Sequence, residues 1–175
     1  QFIACLFTNV SWDSYDPYIF ESANEWVIQS INKMIEKKNV VWIIRIHPVE
    51  SGAINDGSIF STDDLIKENY PILPDHIKVI WSDSKVNAYS LFQLINVGIT
   101  IEGTVGTELP LLGKPIISAN YAHFSGKGFS IDFKSRREYF SILADIEKIK
   151  SLSSDQIESA KKYAYSFFFQ QQIPM

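Results

Sequence analysis

The chain has 175 residues and a formal net charge of −4. This length suits one domain with a sizeable core, and 46% apolar with 21% charged residues is typical of a globular protein. The acidic balance lacks the basic field of nucleic-acid-binding proteins, so no nucleic-acid partner is expected. The single cysteine, Cys5, cannot form an intrachain disulfide, which suits a reducing compartment and predicts a cytoplasmic protein. No apolar run reaches the roughly 20 residues that span a bilayer.

Apolar runs alternate with amphipathic segments along the chain. Five apolar runs predict buried strands, over residues 2–10, 40–46, 77–81, 96–101 and 115–119. Helical spacing and capping residues predict helices over 20–38, 63–69, 86–95, 135–149 and 153–171. Thr62 is the predicted cap of the second helix, and residues 51–62 and 121–132 are predicted loops. Strands that alternate with helices predict an α/β fold, Rossmann-like and doubly wound, with a mainly parallel sheet.

The stretch 100–117, TIEGTVGTELPLLGKPII, joins two of these strands through a short helix. Residues 103–106 have no bulky side chain apart from Val105, so a ligand could approach their backbone closely. Thr107 is the predicted N-cap, Pro110 then falls in the first turn, and Gly113 ends the helix. Free N–H groups at such a helix start bind anions. The stretch is therefore a candidate phosphate site, and an ordinary strand-to-helix connection without a ligand is the equally weighted alternative.

Polar residues fall at the predicted carboxyl ends of the strands, where doubly wound domains bind ligands. The candidate substrate contacts are Asn9, Arg45, His47, Ser84, Gly103, Thr104, Gly106, Thr107, Glu108, His123 and Lys127. Arg45 and His47 share one strand face and offer two donors to a phosphate. Glu108 can accept from vicinal sugar hydroxyls. The alternatives are that the histidines pack or hydrogen-bond within the protein, and that Lys127 is a solvated surface lysine.

Several common site classes lack their motifs. No GxGxxG follows the first strand and no GxxxxGK[ST] occurs, which disfavours a dinucleotide dehydrogenase and a P-loop NTPase. No GxSxG elbow indicates a serine hydrolase. No two His, Cys or carboxylate residues show metal-ligand spacing, so neither a metal nor another cofactor is expected.

Five segments together carry a family resemblance: FTNVSWDS, RIHPVE, the N-Y-S-L segment at 87–91, GTVGTELPLLGKPII and HFSGKGFSIDF. In this order and spacing they resemble the C-terminal half of bacterial capsular polysaccharide biosynthesis proteins, which are similar to GT-B glycosyltransferases of the capsule Kdo transferase type. The resemblance covers nearly the whole chain and implies the Rossmann domain that binds the nucleotide sugar. It also implies that His47 contacts the donor phosphate or the departing nucleotide, and that Thr104, Thr107 and Glu108 line the phosphate and ribose site.

The sequence thus predicts the donor-binding domain of a glycosyltransferase of capsule biosynthesis. The predicted donor carries Kdo or a related acidic sugar on a nucleotide such as CMP, and the predicted acceptor is a glycan or a lipid-linked glycan. His47 is the predicted catalytic residue, through electrostatics at the leaving group.

The 175 residues are expected to form a single domain, cut from a longer two-domain protein and inactive alone. The full-length protein is expected in the cytoplasm, with peripheral association at the inner face of the membrane. Two alternatives remain open: a polyol-phosphate transferase resembling the teichoic acid polymerases, which also carry a His-Pro motif, and a nucleotide-sugar-binding domain without turnover.

Overall fold

A computed structural model describes residues 1–8, 19–53 and 61–170. A parallel sheet runs through these residues in the order β3-β2-β1-β4-β5-β6. Its strands are β1 (Ile3–Phe7), β2 (Val41–Arg45), β3 (Ile77–Ile80), β4 (Val97–Thr100), β5 (Ile116–Ser118) and β6 (Ser130–Ile131). The winding reverses between β1 and β4, so the predicted α/β, Rossmann-like, doubly wound class is confirmed.

Helices connect these strands. Those in the described ranges are α1 (Ala23–Glu36), α2 (Glu50–Ala53), α3 (Thr62–Asn69), α4 (Ala88–Leu94), α5 (Val105–Leu111), α6 (Arg136–Ala144) and α7 (Ser154–Tyr165). A 3-10 turn (Ile146–Lys148) follows α6, and a π-helical turn (Ser166–Gln170) extends α7. Within the described ranges, no helix combines the length and hydropathy that a bilayer crossing requires.

Polar side chains cap most of these helices, as the sequence predicts in part. Ser135 and Ser153 each accept a hydrogen bond from the first turn, and Ser153 forms a reciprocal capping box with Gln156. The predicted cap of α3 is wrong by one residue. Ser61 Oγ accepts from the Asp64 N–H at 3.1 Å, whereas Thr62 is already the first helical residue.

Short elements account for the other differences from prediction. Strand β6 lies inside the predicted loop 121–132, and α2 overlaps the start of the predicted loop 51–62. Two and four residues are too few to show a strand or helix period. The predicted helix 135–149 is instead α6 followed by the 3-10 turn. The predictions for residues 9–18, 54–60 and 171 lie outside the described residues.

Each face of the sheet packs on its own apolar core. Along β1, Ala4 and Leu6 face a core with α1 and α6, whereas Cys5 and Phe7 face a core with α5 and α7. This alternation follows from the two-residue period of a strand. Because helices cover both faces of the sheet, the carboxyl ends of the strands are the position at which a ligand would bind in a doubly wound fold.

Candidate functional site

A cavity of about 310 Å³ opens at the carboxyl edge of the sheet, beside β1, β2 and β4. Because the winding reverses between β1 and β4, this is the switch point at which doubly wound sheets bind ligands. The lining residues end strands or follow them directly in most cases: Phe7, Thr8, Arg45, His47, Pro48, Ala88, Thr100, Glu102, Gly103, Thr104 and Val105. A larger groove of about 490 Å³ runs along edge strand β3. Its lining residues lie on α3, β3 and the adjoining segments, and not at the switch point between β1 and β4.

His47 presents one defined ring atom to this cavity. The Val49 N–H donates to His47 Nδ1 at 3.2 Å, so a neutral imidazole carries its proton on Nε2. Desolvation lowers the pKa of His47, while the Glu50 carboxylate raises it and the Arg45 guanidinium lowers it further. A lowered pKa keeps the ring largely neutral at pH 7. His47 therefore offers an Nε2–H donor to a ligand.

Arg45 lies at the base of the cavity with only 6% of its surface exposed. Its Nη1 donates to the Trp81 carbonyl at 3.0 Å, and its Nη2 to the Val86 carbonyl at 3.4 Å. Desolvation lowers the pKa of Arg45. Backbone carbonyls thus engage one N–H on each terminal nitrogen, and Arg45 adds a buried positive charge beside the cavity.

The turn after β4 contributes only its first residues to the cavity. Gly103 and Thr104 line it, and Gly103 has a φ of 119°, which favours glycine. The prediction that Thr107 is the N-cap is wrong, because α5 begins at Val105 and Thr107 is fully buried within it. The N–H groups of Gly106 and Thr107 donate to the Gly103 and Thr104 carbonyls at 3.1 and 2.8 Å. These two N–H groups of the predicted anion site are therefore engaged inside the turn.

Two further residues of this stretch lie away from the cavity lining. Gly106 is buried, and a Cβ there would lie 2.0 Å from the Phe124 ring, so packing and not ligand approach requires a glycine. Glu108 is half-buried, which raises its pKa, while a hydrogen bond with the Thr104 side chain lowers it. Pro110 falls in the second turn and not in the first, a correction that follows from the earlier helix start.

The end of α5 agrees with prediction. Gly113, with a φ of 73°, donates its N–H to the Pro110 carbonyl at 3.0 Å, and the Lys114 N–H donates to the Leu109 carbonyl at 3.2 Å. This pair of bonds is a Schellman motif. Gly113 is thus confirmed as the residue that ends the helix.

His123 lies at the same edge of the sheet but in a separate aromatic cluster with Tyr163 and Phe167. Tyr163 Oη donates to the His123 carbonyl at 3.0 Å and lies 2.6 Å from His123 Nδ1, so Nδ1–H is the donor to that hydroxyl. Phe167 stacks on the imidazole with a centroid distance of 4.3 Å and an interplanar angle of 3°. Desolvation lowers the pKa of His123, and the Glu102 carboxylate raises it.

The other predicted contacts lie outside the cavity lining. Ser84 Oγ accepts from the Val86 N–H at 3.3 Å and so stabilises the turn after β3. Lys127 is exposed, with Nζ 6.0 Å from the centroid of the Tyr163 ring. Asn9 lies outside the described residues. The structure thus brings together Arg45, His47, Gly103 and Thr104.

The candidate substrate contacts did not include Thr8, Thr100 and Glu102, which also line the cavity. The strand-end rule that selected Arg45 applies equally to these three residues. The proposal that Glu108 meets sugar hydroxyls depended on a helix start at Thr107, three residues after the actual N-cap, Thr104. In the structure Glu102 lines the cavity and Glu108 does not.

No protein-family profile matches the chain, and no curated protein sequence matches it. Solved structures do match it. The KpsC of Thermosulfurimonas dismutans, a beta Kdo 2,4 transferase, is 15% identical, with 91% of this chain and 44% of that chain covered and a TM-score of 0.51. A variant of the wall teichoic acid polymerase TagF is 13% identical, with 96% and 39% covered and a TM-score of 0.51. The MnaA of S. aureus in its co-structure with UDP is 9% identical, with 97% and 45% covered and a TM-score of 0.60.

At these identities the likeness shows the fold. The matched structures include a Kdo transferase and a teichoic acid polymerase, so the predicted likeness to such enzymes is confirmed for the fold. The chain spans less than half the length of each of these neighbours.

Proposed function

We propose that this chain is the nucleotide-sugar-binding domain of a glycosyltransferase, and that the cavity at the switch point takes the phosphate-bearing part of the donor. One observation carries the proposal. The cavity combines the His47 Nε2–H donor and the buried Arg45 charge at the carboxyl ends of β1, β2 and β4. A phosphate requires such donors and positive charge, and doubly wound sheets bind nucleotides at this position.

In the proposed reaction the oxygen of an acceptor hydroxyl attacks the anomeric carbon of the donor sugar and forms the new glycosidic bond, and the hydroxyl proton passes to solvent or to a base outside this domain. The bond from that carbon to the phosphate oxygen breaks, and negative charge builds on the departing nucleotide. The His47 Nε2–H donates to that phosphate, and Arg45 adds a positive field from the cavity base, so both stabilise the charge that develops. The hydroxyl-bearing part of the donor lies against Glu102, since a carboxylate accepts from vicinal hydroxyls.

The finer proposal rests on the resemblance of the five sequence segments. It names a CMP-linked donor of Kdo or a related acidic sugar, a glycan or lipid-linked acceptor, and a role in capsular polysaccharide biosynthesis. A second domain of a longer chain would supply the acceptor site, and the whole protein would work in the cytoplasm at the inner face of the membrane.

A thermal-shift panel tests the ligand class. Because the proposed donor is CMP-linked, we expect millimolar CMP to raise the melting temperature more than CDP, UDP or GDP does. A ligand at a hundredfold excess over Kd stabilises the fold by about 2.7 kcal/mol. Glu102→Gln should reduce the shift, whereas the matched variant Glu108→Gln should keep it, because Glu108 does not line the cavity. The proposal fails if no nucleotide raises the melting temperature.

A further inference from the structure

Behind the cavity, a short series of hydrogen bonds joins His47 to a buried carboxylate. The His47 N–H donates to Thr8 Oγ1 at 3.1 Å, and this hydroxyl donates to Glu50 Oε1 at 3.2 Å. The Thr62 N–H donates to Glu50 Oε2 at 2.7 Å. Thr8 and Glu50 are each only 4% exposed. The series therefore ties the ends of β1 and β2 to the first residue of α3.

Within the described part of the chain, Glu50 has no ion-pair partner to compensate its burial. None of the salt bridges within the described ranges involves it. Its charge depends instead on the bonds from Thr8 and Thr62 and on the N-terminus of α3, which favours a negative group. Burying an ionised carboxylate costs several kcal/mol, so an apolar side chain would suit packing alone better.

The same residues fix the direction of the His47 ring. The Glu50 N–H donates to the His47 carbonyl at 3.0 Å, while Thr8 receives the His47 N–H, so the backbone is held on both sides of the ring. The Val49 N–H holds Nδ1. Together these contacts leave Nε2 as the ring nitrogen available to the cavity.

We propose that Glu50 is a positioning residue, which acts through Thr8 to hold His47 with its Nε2–H directed at the ligand phosphate. The identity of that ligand rests on the proposed function, but the positioning role does not. Glu50 is not among the residues that line the cavity, so it acts on the ligand only through His47.

The charge of Glu50 gives the proposal an independent readout. The charged groups that act on the His47 ring are Glu50 from α2 and Arg45 from β2, and Glu102 from the turn after β4 also lines the cavity. The Glu50 carboxylate raises the pKa of His47, against the desolvation that lowers it. Removing this charge should therefore lower the pKa of His47 further.

Glu50→Gln is the first test. The Thr8 hydroxyl and the Thr62 N–H now each donate to one carboxylate oxygen, and an amide replaces one of these acceptors with an NH₂ donor. NMR of the 175-residue chain would follow amide exchange and the ring titration of His47, and calorimetry would follow CMP binding. We expect faster exchange at the His47 amide, a lower His47 pKa and CMP affinity weaker by about tenfold, the scale of one hydrogen bond to a charged group.

Two controls separate positioning from loss of fold or charge. Asp64→Asn removes a carboxylate at the same helix start, where Asp64 Oδ2 accepts from the Ser61 hydroxyl at 2.7 Å, and should leave His47 unchanged. Thr8→Val should expose the His47 amide to exchange, and Thr8→Ser should restore its protection. If Glu50→Gln fails to fold, the Thr8 pair decides the result.

Unchanged exchange and titration of His47 in both Glu50→Gln and Thr8→Val would overturn the positioning role, whatever the nucleotide result. A wild-type chain that binds no nucleotide, but whose His47 responds as expected, would support the positioning role and reject the proposed function.

Discussion

His47 and His123 both follow strands at the same edge of the sheet, yet their surroundings give them opposite chemistry. The Val49 N–H donates to His47 Nδ1, which leaves an Nε2–H donor. His123 Nδ1–H donates instead to the Tyr163 hydroxyl, which leaves Nε2 as an acceptor. His47 lines the cavity, whereas Phe167 stacks on the ring of His123.

The difference shows that a strand-end position is not enough to place a side chain in the cavity. Residues about 40 positions later in the chain, on α7 and the π-helical turn, cover His123. In the described part of the chain, the hydrogen bonds of His47 come from residues near the ends of β1 and β2. The comparison therefore favours His47 as the residue that meets the donor and His123 as a residue that joins α7 to the sheet.

Replacing His47 should give the largest difference in turnover between the two histidine sites. In the proposed full-length glycosyltransferase, His47→Ala should reduce turnover by on the order of 10²-fold, the scale of losing one donor at a developing charge. The fold should persist because the His47 side chain is exposed. Steady-state kinetics would measure the loss, with His123→Asn as the matched control that retains turnover. Equal losses in the two variants would contradict the distinction between the sites.

Gly106→Ala should disrupt the packing around Phe124 and His123. The added Cβ would lie 2.0 Å from the ring of Phe124, which is fully buried and meets His123 edge-on at 5.1 Å. Overpacking of this kind should lower the free energy of unfolding by about 1–3 kcal/mol, measured by urea denaturation. Ser90→Ala, at an exposed position of α4, should change it by less than about 0.5 kcal/mol. Full stability of Gly106→Ala would show that the turn has room for a ligand, as the sequence predicts.

The pH dependence of stability should report the desolvation of His123. The pKa of His123 lies below its ordinary 6.5 in the folded protein, so the unfolded chain binds this proton more readily. The stability that neutral His123 contributes is therefore fully present above pH 6.5 and is lost as the pH falls through that value. Urea unfolding at about pH 7.5 and about pH 5.5 should show a smaller loss in His123→Asn than in the wild type. Equal losses would show that His123 is not desolvated.

The sequence was sufficient for the fold class because that inference depends on long, repeated patterns. Apolar runs and amphipathic segments alternate over most of the chain, and β1 to β5 all fall within predicted strands. Strand β6 has two residues in a glycine-containing segment, so no period could reveal it. The start of α5 was misplaced because Thr104 and Thr107 are both plausible caps, and Thr104 has a helical backbone without a capping bond.

The candidate site was only partly predictable for a different reason. The strand-end rule selected Arg45 and His47, which do share the cavity. It could not show that the Trp81 and Val86 carbonyls engage Arg45, or that Glu50 reaches Thr8 across 42 residues of sequence. Such contacts depend on tertiary packing, which neither local propensity nor spacing records.

An NMR titration of the chain with CMP tests the central distinction most directly. The ring signals of His47 should shift and saturate, and the pKa of His47 should rise, because a bound phosphate favours the imidazolium form. The ring signals of His123 should shift less than those of His47, since His123 does not line the cavity and contacts Tyr163 and Phe167. A saturable shift of His123 with no response from His47 would contradict the account.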